Sequence, residues 1–155
     1  MKILNQQIFE NKEAAALPGL MESGGLPALV SGLSGIHRVN LAAALYEKLE
    51  LPMFVVCPDD SAAESFTRDL EAMLGRPVNT LYSRDFTFYP SLAASREAEQ
   101  KRLAVLNALR CGESPVTVAT VSALMQRAIP PQTLGKAAFT AVSYTHLTLP
   151  TTERV

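Results

Sequence analysis

Between Leu26 and Leu124, short apolar runs alternate with longer stretches whose apolar residues recur at helical spacing. That alternation restricts the chain to βαβ units around a parallel sheet, an α/β fold. Strands buried on both faces read as brief continuous runs rich in β-branched and aromatic residues. Four such runs predict strands at Ala28 to Ser31, Met53 to Cys57, Val78 to Tyr82 and Val116 to Thr120.

The intervening stretches predict helices. Leu41, Leu45 and Leu49 form one apolar stripe, flanked by Tyr46, on a helix able to cover the sheet. In the next, Ser61 and Glu64 form a capping-box pattern, Phe66, Leu70, Met73 and Leu74 make the buried face, and Gly75 then Pro77 stop it. A third runs from about Ser95 to Arg110, with Leu103, Leu106 and Leu109 facing inward and Gly112 at C′. Arg96, Lys101, Arg102 and Arg110 share that helix with Glu97 and Glu99, so a solvated charged face is preferred over a DNA contact. Upstream, Ile3, Leu4, Ile8 and an Ala-rich stretch to Met21 suggest a helix or two, separated from the first strand by Gly24-Gly25.

With 155 residues, 48% hydrophobic and 19% charged, the chain can bury a core, which argues against a disordered or fibrous protein. A net charge of -1 gives no overall basic bias, so any nucleic-acid contact must be local. Two cysteines, Cys57 and Cys111, and two histidines, His37 and His146, show no zinc-site spacing, and no metal site is expected. Both cysteines read as reduced structural residues. The start, Met1 to Phe9, is too short an apolar run for a signal peptide, and no run approaches the ~20 apolar residues of a membrane span. A cytoplasmic protein is expected.

Gly32-Leu33-Ser34-Gly35-Ile36-His37-Arg38-Val39 lies between a predicted strand and a predicted helix, where a Walker A loop aims backbone N–H groups at phosphate. Such a loop needs a second glycine for the wrap, lysine for the β and γ phosphates and Ser/Thr for magnesium. Counted from Gly32, those positions hold His37, Arg38 and Val39. Arginine offers a planar fork in place of a compact ammonium, and valine cannot ligate a hard cation. After the strand ending at Thr120, Val121 and Ser122 stand where an ATPase commonly carries acidic residues. Gly32, Ser34, Gly35, His37, Arg38 and Val39 therefore form either a degenerate phosphate loop or a plain strand-to-helix turn. Both predict no ATP hydrolysis, no bound cofactor and no catalytic residue.

Three stretches together resemble the bacterial transcription-repair coupling factor family and its relative UvrB. They are Gly32-Leu33-Ser34-Gly35; Asp85-Phe86-Thr87-Phe88-Tyr89-Pro90 leading to Gln100-Lys101-Arg102-Leu103; and Val116-Thr117-Val118-Ala119-Thr120-Val121-Ser122-Ala123-Leu124-Met125-Gln126-Arg127. The resemblance spans most of Ala28 to Pro131 and implies an incomplete P-loop-NTPase-like, helicase-like sheet. UvrB keeps an intact Walker A loop and a long DNA-clamping hairpin; here the loop is degenerate and Ser83 to Ala94 is too short for that hairpin, as in the coupling factors.

The resemblance implies a parent that displaces stalled RNA polymerase by ATP-driven translocation on double-stranded DNA and recruits UvrA for excision repair, with ATP and magnesium held in motor domains absent from this sequence. The piece at hand would be a scaffold that holds the UvrA-binding insertion and packs against the motor, with intramolecular contacts only. Its alternatives are a divergent UvrB-like or helicase-like ATPase binding nucleotide through Gly35 and Arg38, and an unrelated doubly wound domain using the Gly32 turn for a small anion.

Val142 to Thr152 resembles one reading frame of the transposase adapter of shotgun sequencing libraries, against the alternative of a Thr-rich strand and loop. Residues 142–155 are accordingly read as foreign. The resulting division is a helical segment over 1–25, a UvrB-like fragment over 26–141 and the tail. Strands supplied by the missing sequence would complete the sheet, so an aggregation-prone apolar edge is expected.

Overall fold

The computed structural model describes residues 7–24, 27–83 and 96–137. It is an α/β arrangement: a three-stranded parallel sheet flanked by helices. A 3-10 turn, Ile8–Glu10, leads into helix α1, Lys12–Glu22, whose N-cap Asn11 accepts the Glu13 amide. Then follow α2 (Gly35–Leu49), β1 (Met53–Cys57), α3 (Asp60–Leu74), β2 (Asn79–Leu81), α4 (Arg96–Cys111), β3 (Val116–Thr120), α5 (Val121–Met125) and α6 (Pro131–Ala137).

Strand order is β1-β3-β2, with Val55 beside Val118 and Thr80 beside Val118 on the other side. All of β3 is buried, Thr117 and Thr120 included, as befits the central strand of a sheet covered on both faces. Adjacent strand residues point to opposite faces. Thr80 hydrogen-bonds Thr67 of α3 at 2.9 Å, whereas Leu81 packs in a cluster with Val105 of α4. Helices α3 and α4 therefore lie on opposite faces of the sheet. On the α3 face, Val39, Ala43, Cys57, Ala63, Leu70, Val78, Val116 and Val118 form the larger core cluster. On the α4 face, Leu81, Val105, Ala119 and Ala123 form the smaller one, with Leu106 and Leu109 against it.

Residues 28–31 are not a strand. Leu29 is 94% exposed and Val30 is also exposed, so this run meets no ladder and no core. A short apolar run becomes a strand only where an edge receives it. Strand β2 is shorter than expected at both ends because side chains take the backbone groups. Glu71 Oε1 accepts the Val78 amide at 2.9 Å, and Arg102 donates to the Tyr82 carbonyl at 2.6 Å. The other two strands have the expected bounds.

Helix α2 buries Leu41 of the expected stripe but otherwise turns a neighbouring face inward. Val39 and Ala43, with Tyr46 half-buried, meet the core cluster, while Leu45 and Leu49 are only half-buried. Two alanines, Ala43 and Ala44, let the helix pack closely, which the leucine stripe does not reveal. The amino-terminal segment packs on α2, with Lys48 Nζ 4.4 Å from the Phe9 ring centre.

Helix α3 has the expected buried face, and Gly75 closes it at φ +68° while donating to the Glu71 carbonyl. Its cap is Asp59, not Ser61: the Asp59 carboxylate accepts the Ala62 amide at 2.8 Å. Asp59→Ala should cost about 1 kcal/mol by chemical unfolding, and Ser61→Ala almost nothing. Equal losses would reinstate the Ser61 cap. Helix α4 ends in a Schellman motif, with Glu113 N donating to Ala108 O, Gly112 N to Leu109 O, and Gly112 at φ +72°.

Candidate functional site

The Gly32 turn enters α2 in a form that only glycine adopts easily, at φ +81°. A Cβ built there or on Gly35 meets nothing within 4 Å, so backbone angle, not crowding, selects Gly32. Ser34 holds the N-cap position in extended conformation, yet its side chain makes no capping bond to the helix. Its Oγ instead lies 2.8 Å from His37 Nδ1. The cap hydroxyl thus bonds across the first turn to an imidazole.

Arg38 also folds back. Its Nε donates to the Leu33 carbonyl at 3.1 Å, while its backbone N–H begins the helix by donating to Ser34 O. Val39 points the other way and is 2% exposed, within the larger core cluster. The structure thus brings Gly32, Ser34, Gly35, His37 and Arg38 together at an exposed helix start and assigns Val39 to the core. The run before Gly32 is not a strand, so the turn lacks the sheet anchor expected for it.

Restoring a magnesium-ligating hydroxyl by Val39→Thr would set that hydroxyl among Ala43, Val116 and Val118. It should cost about 1 to 2 kcal/mol in urea unfolding. No measurable cost would mean that Val39 is not a core residue.

At the carboxyl end of β3 a hydroxyl, not a carboxylate, closes the strand. Thr120 caps α5 by accepting the Ala123 amide at 3.2 Å and lies 3.0 Å from Ser122 Oγ. At the end of β1, Cys57 is a buried free thiol. Burial pushes its pKa up, and the Asp59 carboxylate adds to the shift. Burial first, then Glu64, raises that of Tyr82.

Burial thus keeps the folded Cys57 thiol neutral above the pH at which an unfolded one ionises. The stability gained by keeping the thiol neutral is fully present below the ordinary thiol range and disappears as pH rises through the raised value. Unfolding free energy should therefore fall from about pH 9 upward, and Cys57→Ala should flatten that slope. An unchanged slope would exonerate the thiol. Cys111, expected to be structural, is instead exposed, with Arg110 Nη2 3.3 Å from its sulfur.

Arg102 corrects the expectation of a wholly solvated basic face on α4. It is 5% exposed and donates to the Tyr82 carbonyl at 2.6 Å and the Ala123 carbonyl at 3.1 Å. One guanidinium thereby joins the end of β2 to α5. The spacing already held this signal: 102, 105, 106 and 109 fall on one helix face. Lys101 and Arg110 are exposed, as expected. Asp85 to Pro90, most of the Ser83 to Ala94 connection and residues 142–155 lie outside the described residues. Among the described residues no group of His, Cys, Asp and Glu could hold a metal ion, and no helix is long and apolar enough to cross a membrane.

Fold and site together define an α/β domain with a parallel sheet, in which a glycine turn opens a helix whose Val39 belongs to the core. The chain is 30% identical over 145 residues to the transcription-repair-coupling factor of Bacillus subtilis (strain 168). That match spans 90% of this chain and 12% of the Bacillus protein, so the chain corresponds to a small part of that relative. No family model matches the chain, and no solved structure matches it.

Proposed function

We propose that this chain is the amino-terminal, UvrB-like module of a transcription-repair coupling factor, acting as a non-catalytic scaffold. The observation that carries this reading is the match over 90% of the chain to the Bacillus coupling factor. The geometry at Gly32 supports the non-catalytic part: Val39 is buried in the core and the Arg38 guanidinium is bonded to Leu33. The fold is an incomplete P-loop-NTPase-like, helicase-like sheet, with a helical segment over 1–25, the degenerate nucleotide-binding fold over 26–141 and a foreign tail over 142–155.

In the parent protein, other domains bind ATP and magnesium, translocate on double-stranded DNA, displace stalled RNA polymerase and present the surface for UvrA, all in the cytoplasm. This module holds the UvrA-binding insertion and packs against the motor, and it contributes no catalytic, nucleotide or metal ligand. Genomic DNA read past codon 141 without a transposon library tests the assignment. The reading frame should leave the sequence of residues 142–155 and continue into a motor with an intact Walker A loop. A frame that encodes those residues and then stops would overturn the assignment.

A further inference from the structure

We draw no further inference here: the strongest candidate, the apolar face of β1 on which Phe54 and Val56 stand exposed, carries none because nothing in the structure shows what covers it.

Discussion

Arg102→Met is expected to lower the unfolding free energy by about 3 kcal/mol, with the denaturant midpoint falling and the slope unchanged. The guanidinium donates to two carbonyls on separate elements, Tyr82 at the end of β2 and Ala123 in α5. Methionine fills much of the same volume but leaves both acceptors without this donor. A charged donor to a carbonyl contributes about 1.5 to 3 kcal/mol, and buried acceptors left unsatisfied add to the loss. Arg102→Lys is the informative companion. It keeps the charge but replaces the planar fork with a single ammonium that cannot reproduce both bonds in the same geometry, so it should recover only part of the loss. Full recovery by lysine would show that charge alone matters. A loss below about 0.5 kcal/mol for methionine would place Arg102 with ordinary surface residues.

Leu70→Ala should have the other large effect, about 2 to 5 kcal/mol. Leu70 is completely buried on the inner face of α3, in a cluster with Ala63, Val78, Val116 and Val118. Neighbours from α3, from strand β3 and from the turn that precedes β2 cannot all relax into the space it leaves, so a cavity cost adds to the lost transfer energy. For a domain stable by about 5 to 15 kcal/mol, this is a large share of the total. Leu29→Ala serves as the contrast: Leu29 is 94% exposed, and its loss should stay within about 0.5 kcal/mol. Comparable losses at the two positions would mean that residues 28–31 are paired in solution, against the structure.

Those two leucines also show what could be read in the sequence. Leu70 belongs to a repeated face that ends at Gly75 and Pro77, so local spacing determines both its helix and its burial. Leu29 belongs to a run with strand-like composition, but pairing depends on a neighbouring edge that composition does not report. The ends of β2 were illegible for a related reason. Glu71 and Arg102, 7 and 20 residues from their partners, take the Val78 amide and the Tyr82 carbonyl. Only Leu41 of the inner face of α2 is legible in the leucine spacing, because alanine, here Ala43, allows close packing without announcing it as a leucine would.

At the candidate site, the missing lysine and hydroxyl were evident from Arg38 and Val39 in the sequence alone. The structure adds where those side chains go: Arg38 to the Leu33 carbonyl and Val39 into the core. It also removes the strand that was expected to support the turn. The charge of Arg102 points to solvent, and only its position on the helix shows otherwise. Its spacing from Val105, Leu106 and Leu109 places it on the buried stripe, where a long side chain can carry its guanidinium to backbone carbonyls.

On the scaffold reading, the Gly32 to Val39 turn has no nucleotide chemistry. Titration calorimetry of the chain with ATP, with and without magnesium, tests it most directly. The scaffold reading predicts no magnesium-dependent heat of binding at micromolar nucleotide. Micromolar, magnesium-dependent binding that is lost in Arg38→Ala would contradict it and make the domain a divergent ATPase.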